Sequence, residues 1–258
     1  MKYGGNTACV EVRTRRGSTL ILDAGTGIRR LGTNLAGSGR IDILLTHLHA
    51  DHIQGLGFFR PLFQADREVH IWGPRSAGED LKARLSRYLS TPLFPVHLRE
   101  LPSRLTLHDA PVDGVEIGGA QVTAEPVLHP GLTVGYRLAE EGAALTYLSD
   151  HEPALGGDSL PASVSWMSGF SLAQGADLLI HDSQYTDAEY ASRRGWGHSS
   201  ISHTLEFASR TEAKKLITFH HDPDHSDLEL DDLHSQVTEH LRNGLELIPG
   251  REGLSLEL

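Results

Sequence analysis

The stretch "LLTHLHADHIQGL", Leu44 to Leu56, places His47, His49, Asp51 and His52 within six positions, directly after the apolar run "IDILLT". Imidazole titrates near neutral pH and is a poor filler for a strand end, so this density calls for a chemical reason. Residues two apart on a strand share a face, so His47 and His49 can leave the strand end on one side. Asp51 and His52 follow one turn later and can address a second ion. Neutral imidazoles with carboxylates are the ligand set of zinc, or of manganese or iron in oxygen-richer sites.

Other strand ends carry similar residues. Asp23 follows "TLIL", His129 follows "VTAEPVL", Asp150 follows "LTYLS", Asp182 follows "LLIH" and His220 follows "LITF". Strand ends on one edge of a packed sheet are where loops converge and sites are built. The segments bearing them read as strands with helices between and after. "TACVEVR" and "STLILDAG" form a hairpin turning at "TRRGS", and "IDILLT" is a strand buried on both faces. "EVHIWGP" is a further strand. "VEIGGAQVTAEPVLHP" and "LTVGYRLAEEGAALTYLSD" read as hairpins turning at Gly118-Gly119 and near Gly142. "SAGEDLKARLSRYL" predicts a helix capped by Ser76 with Glu79. A closing helix begins at Ser226 with Glu229 three residues on, and carries Leu230, Leu233, Val237 and Leu241 at helical spacing. The pattern is α/β, an αββα sandwich of two mixed sheets flanked by helices, expected as a single domain over residues 1–258.

Composition sets bounds. The chain has 258 residues, 39% apolar and 22% charged, enough for a full core. No segment reaches the roughly 18 apolar residues of a membrane span, and the N-terminus has no long apolar signal stretch. A single cysteine, Cys9, permits no internal disulfide and favours the cytoplasm. The net charge of −11 disfavours nonspecific nucleic-acid binding. Sixteen histidines stand beside two methionines and six tyrosines, an excess that a metal site would explain.

At "THLHADH" the chain resembles the metallo-β-lactamase superfamily, whose signature is His-x-His-x-Asp-His. The resemblance runs in order through "LDAGTG", the cluster, His129, Asp150 and a late histidine. It implies that His47, His49 and His129 hold one divalent ion, that Asp51, His52 and His220 hold another, and that Asp150 bridges them. His221 competes with His220 for the late position, and "LITFH" favours His220. Asp23 is implied as a support beside the site. Zn²⁺ is the expected metal, with Mn²⁺ or Fe²⁺ as alternatives.

The finer resemblance is to the phosphodiesterase branch, which includes RNase Z and cyclic-phosphate phosphodiesterases. "GWGHSS" resembles the loop that sets a histidine against the scissile phosphate. "LLIHDSQYT" resembles the RNase Z loop whose acid orients that histidine, with Asp182 here in place of Glu. The implied catalytic residues are therefore Asp51, His198 and Asp182. His198 could instead simply precede a helix capped by Ser199. His151 could lie at the surface or on the site's rim, and His70, His97 and His108 carry no signal.

The implied reaction is hydrolysis of small or cyclic phosphodiesters by a hydroxide bridging two metals, with His198 assisting at the phosphate. Twenty residues separate His129 from Asp150, with no room for a tRNA-gripping arm. With the acidic charge, this favours a small-molecule phosphodiester over nucleic acid. The alternatives are an RNase Z-type tRNA 3′ endonuclease, a hydrolase of β-lactams, lactones or thioesters on the same centre, and a binding protein that keeps the scaffold. The branch further implies a homodimer. Relatives usually have a strand before "YGGNT", so here that strand is expected to be absent or trimmed away.

Overall fold

In the computed structural model, residues 2–35, 39–154, 156–238 and 244–258 are described. The chain divides into two compact units, Asn6–Val122 and Met1–Gly5 with Thr123–Leu258.

The Asn6–Val122 unit begins with β1 (Val10–Arg13) and β2 (Thr19–Leu22), an antiparallel hairpin that pairs Val10 with Leu22. Helix α1 (Gly27–Asn34) leads to β3 (Ile41–Leu44). A four-residue helix, α2 (Ala50–Ile53), follows the histidine cluster, then come β4 (Glu68–Gly73), α3 (Leu81–Tyr88) and β5 (Arg104–Asp109). The five strands lie in sequence order, and all pairs after the first hairpin are parallel. All four residues of β3 are buried, three of them apolar and the fourth, Asp42, accepting hydrogen bonds from Arg40 and Trp72. Ile43, Ile71, Ile28 of α1 and Leu81 and Leu85 of α3 share one core with Phe59 and Leu62. Each such side chain contributes roughly 1.5–3 kcal/mol on burial. This core makes β3 a rigid base for the loop that starts at Thr46.

The hairpin of β6 (Val115–Ile117) and β7 (Ala120–Pro126) turns at Gly118 and Gly119. Both glycines have positive φ, 62° and 103°, the left-handed pair that a tight two-residue hairpin demands.

In the second unit β8 (Val134–Glu140) and β9 (Ala143–Leu148) form an antiparallel hairpin. The short α4 (Phe170–Ala173) precedes β10 (Leu178–Asp182), and α5 (Asp187–Arg193) and α6 (Ile201–Arg210) lead to β11 (Lys215–Phe219). Helix α7 (Asp227–Thr238) and β12 (Glu246–Pro249) close the chain. The second sheet runs β12-β11-β10-β9-β8-β7-β6, with parallel pairing from β12 to β9. Its core joins Leu148, Leu179 and Leu216 to Leu172 of α4 and Phe207 of α6. Two mixed sheets with helices give the α/β class read from the sequence.

Four details differ from the sequence reading or extend it. The cap of α3 is Asp80, whose side chain accepts from the Ala83 amide 2.7 Å away, not Ser76. Asp80 stands nearer the first apolar position, Leu81, and its carboxylate is the stronger acceptor for an exposed amide. The cap of α6 is Ser200 rather than Ser199, whose hydroxyl donates to the His151 carbonyl instead. Strands β5 and β12 are absent from the sequence reading. Both are sheet edges, one with only Leu105 and Leu107 apolar among six residues and the other four residues ending in proline, so neither carries a strong apolar signal. The capping box of α7 is present, with Ser226 and Glu229 exchanging hydrogen bonds. Leu230 of α7 is buried, while Leu241 lies outside the described residues. Among the described residues, no helix is long and apolar enough to cross a membrane.

Candidate metal centre

In the Asn6–Val122 unit the histidine cluster leaves the C-terminal end of β3. Thr46 turns the chain there, and its amide and hydroxyl both donate to the buried carboxylate of Asp23, at 2.7 and 2.9–3.0 Å. Asp23 sits at the end of neighbouring β2 with φ 60°, a left-handed backbone that an aspartate tolerates better than most residues. Its second oxygen lies 2.9 Å from Nδ1 of His52. That contact places the proton on Nδ1 and turns Nε2 toward Asp51, whose Oδ2 is 3.2 Å away. A carboxylate behind a ligating imidazole is how metal sites fix tautomer and ring orientation. His47 is held similarly, with Nδ1 3.0 Å from the Thr46 hydroxyl. The His47 ring centroid lies 4.4 Å from that of His49 and 4.2 Å from that of His52. His47 and His52 are buried and His49 is exposed. One unit thus gathers three imidazoles and Asp51, with Asp23 behind them.

The second unit gathers His129, Asp150, Asp182, His198 and His220. His129 follows β7, and its Nε2 lies 3.6 Å from Asp150 Oδ2 at the end of β9. His220, just after β11, places Nε2 3.5 Å from the same oxygen. Its φ is 58°, so the chain holds a non-glycine residue in the left-handed region at the strand end. His221 points elsewhere, with Nε2 3.3 Å from the Gly250 carbonyl and its ring edge-on to Tyr3. Ligand atoms of His129, Asp150 and His198 lie within 4.8 Å of one another, as do those of Asp182, His198 and His220. The His198 ring stacks on His220 at 5.1 Å and meets His129 edge-on at 5.2 Å.

His198 Nδ1 is 2.7 Å from Asp182 Oδ2. The Asp182 carboxylate also accepts from the amides of His151, Gln184 and Ser199. Three fixed backbone donors hold it in place for His198.

The donor chemistry of both sets fits divalent cations. Clustered neutral imidazoles, carboxylate oxygens between them and carboxylate-backed rings suit zinc, manganese or iron.

Three buried groups escaped the sequence reading. Thr46 ties the cluster to Asp23. His181 is fully buried on β10, its Nδ1 donating to the Asp182 carbonyl at 2.7 Å and its Nε2 3.0 Å from His151 Nδ1. His151 is therefore neither at the surface nor on the rim. It is fully buried, and burial holds it well below the usual imidazole range and His181 down to about 4. Glu152 is the third. It is buried, its Oε1 accepts from Gly156, Gly195 and the Tyr190 hydroxyl, and its Oε2 from Gly197, each at 2.8 Å. Its partners lie up to 45 residues away, so local sequence carries no sign of the role. The run Asp150-His151-Glu152 was the available hint.

Residues 18–221 match the family described as "Beta-lactamase superfamily domain". The chain belongs to that family.

Curated relatives of this superfamily member include Ribonuclease Z of Exiguobacterium sibiricum, 28% identical over 215 residues, covering 69% of this chain and 70% of the relative. Ribonuclease Z of Natronomonas pharaonis is 26% identical over 262 residues, covering 83% and 81%. Among solved structures, a diphosphatase from the PhnP family has a TM-score of 0.68 at 22% identity, covering 98% of this chain and 84% of its own. Human tRNase Z, short form, has a TM-score of 0.61 at 23% identity, covering 84% and 86%. These structural likenesses establish the fold.

Proposed function

We propose that the protein is a metal-dependent phosphodiesterase acting on small or cyclic phosphodiesters, with the two donor sets serving one site of a single domain over residues 1–258. His47, His49 and His129 would hold one ion, Asp51, His52 and His220 the other, and Asp150 both. When bound, the two ions neutralise the phosphodiester and lower the pKa of water to about 7. Zn²⁺ is the expected metal, with Mn²⁺ or Fe²⁺ also suited to these donors.

The protein's own residues supply the rest. Asp23 fixes the His52 ring, so that its Nε2 stays aimed toward Asp51. Asp51 acts first as a ligand and also offers an acceptor for the nucleophile's proton. The observation that carries the phosphoryl reading is the Asp182–His198 contact of 2.7 Å beside Asp150 and His220. With Nδ1 held by Asp182, His198 keeps Nε2 for the substrate. From there it can stabilise charge on the phosphoryl oxygens or protonate the leaving oxygen. Attack on a lactam or thioester carbonyl needs no such acid at a phosphate.

The Ribonuclease Z relatives keep a tRNA 3′ endonuclease as the second reading. The net charge of −11 and the short span between His129 and Asp150 favour the small substrate. A homodimer and a cytoplasmic location complete the proposal, the first from the resemblance and the second from the lone cysteine.

The test is hydrolysis of bis(p-nitrophenyl) phosphate with metal content counted in the same sample. Turnover with about two metals per chain supports the reading. Two bound metals without turnover overturn it and direct the search to lactams, lactones and thioesters.

A further inference from the structure

His198 is carried on the loop "RGWGHSS", and the residue two positions before it is a tryptophan. The Trp196 side chain is 60% exposed. Two residues of chain span at most about 7 Å, so the indole is carried on the same short loop as His198.

The loop under Trp196 is fixed. Gly195 and Gly197 both have left-handed backbones, with φ 80° and 93°. Their amides, one on each side of the indole, donate to the two oxygens of Glu152 at 2.8 Å. Gly156 and the Tyr190 hydroxyl share that carboxylate, and the Trp196 amide donates to the Arg193 carbonyl. Gly197 is pressed against the site itself, since a Cβ there would lie 2.3 Å from Pro130 Cδ and 2.5 Å from His129 Cδ2. A buried acid that binds both amides flanking Trp196 fixes the backbone that carries the indole. An indole on a fixed backbone has only its two side-chain torsions left to order when it stacks a planar ring, a low entropic cost.

We propose that Trp196, carried on the loop that Glu152 clamps, is the stacking face of an aromatic-ring subsite beside His198, and that it takes the nucleobase of a mononucleotide. The proposal deepens the phosphodiesterase reading and rests on it for the phosphate that the base accompanies. The acidic charge of the chain favours a single nucleotide over a polyanion. Trp196 is a specificity residue here, and Glu152 is a positioning residue that acts through the loop.

The test is equilibrium binding of AMP to the full-length protein as purified, by dialysis and by quenching of indole fluorescence. Ribose 5-phosphate serves as the ringless control. AMP should quench and bind saturably, and ribose 5-phosphate should bind at least about fivefold more weakly. Trp196→Ala should lose the quench and weaken AMP by roughly 5- to 150-fold, the range of base–aromatic stacking. Trp196→Phe should restore most of the affinity. Glu152→Gln sets an amide N–H₂ among four donors, so it should speed amide exchange at Gly195 and Gly197 and weaken AMP without touching the indole.

Unchanged AMP affinity in Trp196→Ala would overturn the subsite. So would a quench that survives there, since it would come from Trp72 or Trp166. Binding of a single-stranded oligoribonucleotide with none of AMP would also overturn it. Wild-type amide exchange in Glu152→Gln would overturn the clamp. None of these readouts needs turnover, so a protein that stacks AMP yet hydrolyses no phosphodiester would separate failure of the activity from failure of the subsite.

Discussion

The Asp182 carboxylate holds His198 Nδ1 at 2.7 Å while three backbone amides hold the carboxylate. A histidine fixed at one nitrogen by a rigid acid offers the other nitrogen to substrate. His198→Ala should therefore lower kcat for bis(p-nitrophenyl) phosphate by roughly 10²- to 10⁴-fold, the usual worth of general acid catalysis. Metal content should stay at the wild-type level, and p-nitrophenyl acetate turnover should change little. An equal loss on both substrates would remove the phosphate-side role.

His220 and His221 are adjacent but face different partners, Asp150 in one case and the Gly250 carbonyl in the other. His220→Ala should lose about one metal equivalent per chain, measured by elemental analysis after dialysis. His221→Ala should keep the wild-type metal content. The reverse result would transfer the ligand role to His221.

Asp23 receives the Thr46 amide, the Thr46 hydroxyl and His52 Nδ1, all while buried. Asp23→Asn keeps the volume but loses the charge behind His52. Metal affinity should fall by about 10- to 100-fold in a chelator competition, the usual effect of removing a carboxylate that backs a ligating histidine. Unchanged affinity would make Asp23 a turn residue alone.

The strands that place the site were legible because burial leaves a plain mark in sequence. "IDILLT" is apolar but for Asp42 and the closing Thr46, and β3 is buried throughout. The hairpin at Gly118-Gly119 was legible because few residues other than glycine take two consecutive left-handed positions. The acids and histidines at strand ends stood out because apolar runs end abruptly at them. His151, His181 and Glu152 were not legible. Their partners come from other strands and a distant loop, and a buried polar group looks like a surface one until its hydrogen bonds are known. The cap of α3 failed for a local reason, since Ser76 and Asp80 both precede the same apolar run. Asp80→Ala should cost about 1 kcal/mol in urea unfolding. Ser76→Ala should stay within about 0.5 kcal/mol.

The fully buried His181 makes the fold sensitive to acid. Its Nδ1 donates to the Asp182 carbonyl and its Nε2 meets His151, so both nitrogens are used by the neutral ring. Burial holds its pKa at about 4, against about 6.5 when unfolded. Between those values the unfolded chain binds a proton that the folded chain refuses. Stability is therefore complete above about pH 6.5 and is lost as pH falls toward 4, by on the order of 3 kcal/mol. Urea unfolding of the chelator-treated protein at pH 7.5, 6 and 5 should show this decline, with metal release removed as a cause. His181→Asn keeps a polar group at the site without an ionisable ring. Its absolute stability should be lower at pH 7.5, but its decline from pH 7.5 to 5 should be shallower than that of the wild type. Parallel slopes for the two proteins would assign the acid sensitivity to other groups.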